Sequence, residues 1–405
     1  MNNSKTYCTL PFIHSHASVN GTFKPCCNAE TKDIVKAYGR ARNTKNSDYT
    51  LQTWFTGPEM QQLRQDLLND VRNPMCGRCW RNEDRSGNSI RTRMNEKFAH
   101  LADPTKPEIK YLDLKLSNEC NLQCRMCDQT QSHLINRDVD LINQAGLEMP
   151  SNWVSKPNWN TDYLNKIKPV QYEALLRLIP HIKVLKVTGG EPTMQPEVLE
   201  LFDHCIKNGS AKDMQLNITT NGTKFTRRFL DKISVFKDVY FNISVDGYGS
   251  TYEYIRYPFK WDKFDERQQQ LIEYKNELKW SYTCVPQMYN IENLHKLQAY
   301  VHDELHSNLY MNNILHPDGI YNSLDIVPKP ILEYAVHHIK LNSDSDILIN
   351  YLNQLLNSKR SVSESRLQQM YSMVTAVDKV RKQQYNEYLE PLTVEFIEQS
   401  GDTVA

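Results

Sequence analysis

No stretch of about 18 apolar residues occurs in the chain, which excludes a membrane-spanning helix. The opening Met1-Asn2-Asn3-Ser4-Lys5 has no apolar core of the kind a secretory signal carries, so a cytoplasmic location is expected. An excess of one charge is missing too: 48 basic residues face 48 acidic ones. That balance leaves no global electrostatic case for a nucleic-acid partner. No internal repeat or low-complexity tract is visible, which sets aside repeat arrays. What remains is a chain of 405 residues, long enough for two or three domains, with 40% hydrophobic residues to build a core. It also has ten cysteines. In a reducing compartment, closely spaced cysteines point to metal rather than to disulfides.

Three of them, Cys120, Cys124 and Cys127, sit at C-x3-C-x2-C spacing. They follow the alternating run Ile109 to Leu116, which reads as a strand, so they fall on the loop at its C-terminal end. A tight loop brings three thiolates to one face. Three thiolates satisfy three irons of a cubic [4Fe–4S] cluster and leave the fourth open, whereas a closed structural site takes four protein ligands. A zinc site or a disulfide set are the other readings of this spacing.

Further strand signals with helical patterns between them argue for a parallel α/β sheet. Val184 to Thr188 runs into Gly189-Gly190-Glu191-Pro192, and Met214 to Thr220 ends at Asn221-Gly222. Val239 to Val245 ends at Asp246-Gly247, a further strand covers Lys279 to Pro286, and the last lies between Tyr310 and Val327. Each motif sits where α/β barrels place their chemistry. Glycines at 189 and 190 allow close backbone approach to a ligand.

The cysteine loop, the Gly189-Gly190-Glu191-Pro192 motif and the pattern Ser244-Val245-Asp246-Gly247 with Arg256 together resemble the radical SAM superfamily. The resemblance implies a partial (β/α)6 TIM-like barrel and a [4Fe–4S] cluster on Cys120, Cys124 and Cys127. It implies S-adenosylmethionine (SAM) on the open iron, cleaved by one electron to methionine and a 5′-deoxyadenosyl radical. It assigns the backbone of Gly189 and Gly190 to the methionine amino group, with Glu191 orienting that motif or balancing charge, Ser244 to the ribose or carboxylate, and Arg256 to the carboxylate, a surface ion pair being the other use of that arginine. Thr220 and Asn221 fall to the ribose, and the loop from Gln287 to Leu294, with Asn290, to adenine. Met126 stands where the family usually has an aromatic residue against adenine; a thioether covers such a face as well. Asp246 is a proton acceptor or a fixing point for its loop. No residue is assigned a catalytic role.

The first hundred residues carry Cys8, Cys26, Cys27, Cys76 and Cys79. Asn20-Gly21 marks a hairpin that returns Cys26 toward Cys8. A helix from Pro58, with Met60, Leu63, Leu67 and Val71 on one face, delivers the Cys76-Gly77-Arg78-Cys79 knuckle. Hairpin, helix and knuckle resemble the SPASM/twitch module in its one-cluster form, although that module commonly follows the barrel. The resemblance implies an auxiliary [4Fe–4S] cluster on Cys8, Cys26, Cys76 and Cys79, with Cys27 able to replace Cys26. A four-cysteine zinc ribbon is the alternative. His14 and His16 share one strand face, read as solvated, with a place beside the auxiliary cluster or a substrate as the alternative. The basic segment Arg81, Arg85, Arg91 and Arg93 reads as a solvated connector, with an anionic ligand as its other use.

The expected organisation is therefore an auxiliary-cluster module over 1–103, a radical SAM partial barrel over 104–328 and a C-terminal helical extension over 329–405. In that extension Ile347, Tyr351, Leu352 and Leu355 form one apolar stripe, and Leu367, Met370, Val374 and Val377 another. The segment between Cys127 and Val184, with Trp153 and Trp159, carries no recognisable chemistry and reads as a lid or peptide groove. Cys205 reads as core, and Cys284 as core or a hydrogen-atom donor. The resemblance implies an enzyme that oxidises or crosslinks a peptide or protein substrate. Its partners are a low-potential electron donor such as flavodoxin or ferredoxin and a protein that delivers the substrate. A dehydrogenase or cofactor-building enzyme acting on a small alcohol, sugar or nucleotide is the alternative. A non-catalytic Fe–S or zinc scaffold is a third reading.

Overall fold

The computed structural model describes residues 4–18, 22–30, 50–149, 153, 167, 169–311, 322–358 and 361–402. The Asn20-Gly21 turn, Trp159 and much of the Tyr310–Val327 segment lie outside the described residues. The chain is mixed α/β. Among the described residues eight strands form one open, mostly parallel sheet: β1 (His14–Ala17), β2 (Phe23–Lys24), β3 (Tyr111–Lys115), β4 (Val184–Thr188), β5 (Gln215–Thr220), β6 (Asp238–Ser244), β7 (Lys279–Thr283) and β8 (Leu309–Tyr310). Their order is β2-β1-β3-β4-β5-β6-β7-β8. An open sheet of this order is consistent with the expected partial TIM-like barrel.

Two compact units divide the chain. The first comprises residues 1–117, 165–218 and 233–239; the second comprises 118–164, 219–232 and 240–405. In the first, β1 and β2 pair antiparallel, and β1 continues as a parallel neighbour of β3. The N-terminal hairpin is thus part of the sheet, not an appendage to it. Parallel strands buried on both faces are usually apolar throughout. Here they alternate. Leu112, Leu114, Leu185, Val187, Leu216 and Ile218 are almost fully buried along one face. The other face carries His14, His16, Tyr111, Asp113, Lys115, Lys186 and Thr188. A polar face on a parallel sheet is a departure that calls for a use.

Local signals set the helices of this unit. Pro58 opens Pro58–Leu68 at a position whose N–H has no intrahelical partner, and Met60, Leu63 and Leu67 are fully buried. Val71 lies beyond the helix end and is 48% exposed, contrary to the expected stripe. Ser89 and Thr92 cap Ile90–Phe98 reciprocally. Cys205 is buried in Pro196–Lys207 and belongs to the core.

The second unit holds most of β6 together with β7 and β8, paired in parallel, and the C-terminal helices. On the last two expected stripes, Leu352, Met370, Val374 and Val377 are buried, but Ile347 is 48% exposed and Leu348 and Ile349 point inward instead. The helix Asp346–Asn357 is rotated from the sequence reading, because several faces of that leucine-rich run satisfy the same periodicity.

Candidate active site

β3 ends at Lys115, and the chain passes through Ser117 into the cysteine loop. Within the second unit Cys120 and Cys124 are buried and pack with Leu122, Met126, Cys127 and Phe259 in one apolar cluster. Cys124 and Cys127 approach closely enough to hydrogen bond, which together with burial pushes the Cys127 thiol well above its ordinary range. The same contact holds the Cys124 thiol down. Among the described residues no three His, Cys, Asp or Glu side chains converge as for a single metal ion. A cubane asks for something else, since each thiolate binds its own iron. Three sulfurs in one apolar shell leave one iron of a [4Fe–4S] cluster without a protein ligand, whereas a closed zinc site takes four.

The loop is held from several sides. Gln123 N–H donates to the Tyr257 carbonyl at 2.7 Å, and Arg125 N–H to that of Ile255 at 2.9 Å. Asn221 Nδ2 donates to Asn121 Oδ1 at 2.9 Å and reaches the Cys120 sulfur at 3.9 Å. The expected ribose contact Asn221 is thus tied to the cysteine loop. Trp153 Nε1 donates to the Cys127 carbonyl at 2.9 Å and is buried beside Ile135, Val139 and Val377. It braces the loop, where the sequence offered only a lid or groove.

Arg125, between the second and third cysteines, is fully buried. Its guanidinium lies 3.5 Å from the Tyr254 ring centroid, pairs with Asp378 and donates to Gln383 Oε1 at 3.1 Å. Arg381 pairs with Asp138 at 2.7 Å. Both acidic–basic pairs join the helix Glu364–Arg381 to the segment that carries the cysteines. Sequence reasoning missed Arg125, Tyr254, Asp378 and Arg381. The one available signal was an arginine inside the cysteine motif.

Arg256 is buried and donates through Nε to Asp246 Oδ2 at 2.7 Å, with a second nitrogen at 2.5 Å. Burial alone would lower this guanidinium; Asp246 and then the Cys124 thiol outweigh it and hold it above its ordinary value. Asp246 Oδ1 accepts from Val285 N–H at 2.7 Å, so this carboxylate fixes its loop. Ser244 ends β6 opposite Thr283. Asn290 donates to the Val285 carbonyl at 3.0 Å and lies 3.5 Å from the Cys284 sulfur, which is buried.

In the first unit Gly189 has φ +123°, and a Cβ there would meet the Ser117 carbonyl at 2.7 Å. Only glycine fits. Gly190 N–H donates to that carbonyl at 3.1 Å, and Gln195 Nε2 at 3.2 Å. Glu191 is buried and accepts from Thr193 N–H at 3.1 Å and Thr193 Oγ1 at 2.6 Å. It caps the short turn Pro192–Met194, an orienting role.

Cys8, Cys26, Cys76 and Cys79 come from three separate segments and line one small cavity. Its remaining walls include Leu10, Ala29, Met75 and Ile90, with Arg91 at the edge. Burial pushes the Cys8 thiol up to about 12 and raises Cys26 and Cys76 as well. Metal ligation would reverse this, because the ligand is the thiolate. An apolar chamber whose polar lining is largely sulfur fits an iron–sulfur cluster. Cys27 is exposed and does not line the cavity, so Cys26 is the member of that pair that fits. Arg91 is bound to Glu83 at 2.9 Å and to the Tyr7 carbonyl at 2.6 Å, and so belongs to the wall rather than to a solvated connector. The Arg85 side chain lies outside the described ones. His14 and His16 are 2% and 4% exposed, so their face is not solvated.

Residues 114–301 match the family model of the radical SAM superfamily. That superfamily implies an enzyme with a [4Fe–4S] cluster and SAM. An uncharacterized protein of Methanocaldococcus jannaschii is 29% identical over 140 residues, 34% of this chain and 39% of that protein. The 7,8-dihydro-6-hydroxymethylpterin dimethyltransferase of the same organism is 25% identical over 122 residues, 29% of this chain and 23% of that protein. The chain thus spans less than half the length of the curated relatives it matches. Among solved structures, Streptococcus suis SuiB bound to S-adenosylmethionine aligns at 15% identity and a TM-score of 0.37, covering 73% of this chain and 56% of that one. Native anSMEcpe with bound AdoMet aligns at 15% and 0.37, covering 60% and 61%. No described helix is long and apolar enough to cross a membrane.

Proposed function

We propose that the chain is a radical SAM enzyme that abstracts a hydrogen atom from a peptide or protein substrate, leading to an oxidation or a crosslink. The observation that carries this is the packing of Cys120, Cys124 and Cys127 in one apolar shell, inside the region that matches the superfamily. When bound, the cluster supplies the electron that cleaves SAM to methionine and a 5′-deoxyadenosyl radical. The chain's own residues hold, orient and shield. Cys120, Cys124 and Cys127 provide three thiolates, and Asn221 offers an N–H toward the Cys120 sulfur. Leu122, Met126 and Phe259 exclude water from that shell. Gly189 and Gly190 open a backbone edge for the amino group of SAM, and Glu191 keeps that edge in place by capping its turn. Arg256, locked to Asp246, places a fixed positive charge beside the cysteines, and Ser244 lies at the end of its strand.

Cys8, Cys26, Cys76 and Cys79 hold an auxiliary [4Fe–4S] cluster in their chamber. Its role in this reading is to accept an electron from the substrate or to ligate it. The peptide substrate rests on the resemblance of this module to the SPASM/twitch form. A flavodoxin or ferredoxin type donor and a cytoplasmic setting complete the proposal. The test is anaerobic reconstitution followed by chromatography for 5′-deoxyadenosine with dithionite and SAM. The reading expects that product, and its loss in Cys124→Ala. A reducible cluster that yields none of it rejects the enzyme.

A further inference from the structure

The polar face of the first unit's sheet contains a site that the cysteines and the SAM motifs leave unused. Register places Lys24 opposite His16, His16 opposite Asp113, and Asp113 opposite Lys186. Directly opposed residues share a face, so these four form one row across four strands. Lys115 and Thr188 oppose each other two residues further along β3 and β4, on that same face. Lys186 Nζ lies 3.0 Å from Asp113 Oδ2, and its side chain keeps 27% of its surface open. The row and the Lys115–Thr188 pair beside it therefore bring three lysines to the face that carries Asp113.

Lys186 satisfies one oxygen of Asp113, and other buried polar atoms of this face are left over. Asp113 Oδ1, His16 Nδ1 and Thr188 Oγ1 are buried and make no hydrogen bond. His16 Nδ1 stands 3.5 Å from Asp113 Oδ1, longer than a well-made bond. Leaving the His16 and Thr188 atoms without partners costs roughly 1–3 kcal/mol each, which an acceptor on a ligand would recover. A sheet that alternates apolar and polar with its polar side buried is built to hold something polar.

We propose that this row is an oxyanion-binding site, in which Lys186, Lys24 and Lys115 take a carboxylate or phosphate of the substrate while Thr188 and His16 supply hydrogen bonds. Asp113 holds Lys186 in place and keeps it charged. The site deepens the function proposed above and rests on it for the word substrate; the binding chemistry itself does not. Cys27 reports on it. That residue is exposed, lies three positions after Lys24, and feels Lys186 and Lys115 electrostatically.

The experiment alkylates Cys27 in the anaerobically purified holoenzyme with iodoacetate and, separately, with iodoacetamide, read by peptide mass spectrometry. Both reagents need the same thiolate, so their rate ratio cancels the thiol's ionisation and reports the local potential. The ratio is expected to fall roughly threefold or more in Lys186→Met and to survive in Lys186→Arg. Because Lys186→Met strands Asp113, Lys24→Gln is the second variant, with a fall in the same direction. Inorganic phosphate and glutarate are then added as competitors. Protection of Cys27 by phosphate assigns a phosphate ester, and protection by glutarate a carboxylate. An unchanged ratio in both variants, or protection by neither anion, overturns the site. The readout needs no SAM cleavage, so 5′-deoxyadenosine formation beside such a result would sink this inference alone.

Discussion

Single residues carry much of the site's definition. Gly189 is the sharpest case, because its positive φ and the 2.7 Å approach of the Ser117 carbonyl act together. Gly189→Ala is expected to cost roughly 1–3 kcal/mol in backbone strain, with the clash in addition. Urea denaturation measures it, and SAM binding should weaken in parallel. His14 gives a pH dependence. It is 2% exposed, and burial, opposed by Asp113, lowers it from 6.5 to about 4. The unfolded chain then binds the extra proton between those values, so the stability from neutral His14 is whole above pH 6.5 and lost as pH falls toward about 4. The span is worth about 3 kcal/mol. His14→Phe should flatten that limb of the stability–pH curve, measured by thermal melts; an unchanged limb would show that His14 is not its source.

At the scale of elements, the cysteine loop depends on the helix Glu364–Arg381. Arg125–Asp378 and Arg381–Asp138 are buried pairs, and removing one partner leaves a charge without compensation. Asp378→Asn is therefore expected to destabilise by roughly 3–5 kcal/mol and to release iron from the Cys120 loop first. Chelator-accessible iron followed over time checks this, with iron retained at the wild-type rate as the contrary result. This dependence was not legible in the sequence. Cys120, Cys124, Cys127 and the glycines announce themselves by spacing, and strands β3 to β7 by alternation. Asp378 and Arg381 lie some 250 positions away in a helix whose apolar stripe reads as plain core, and no local pattern links them to Arg125. The histidines failed for a related reason: alternation shows that His14 and His16 share a face but not that β1 joins β3 and buries them. Ile347 failed because propensity leaves the rotation of a leucine-rich helix open.

For the whole molecule the account predicts two clusters in one chain. Reconstituted protein should carry about eight irons, falling to about four when Cys120, Cys124 and Cys127 are all changed to Ala, and to about four when Cys76 and Cys79 are. Zinc in place of the second four would replace the auxiliary cluster by a ribbon. The most direct test of the central claim, an iron without a protein thiolate beside Cys120, Cys124 and Cys127, uses the Cys76→Ala, Cys79→Ala protein, which isolates that cluster. Its reduced electron paramagnetic resonance spectrum should change shape when SAM is added, because the sulfonium compound's amino and carboxylate groups enter the coordination of that iron. A spectrum that SAM leaves untouched, with the cluster intact and reduced, would contradict the account.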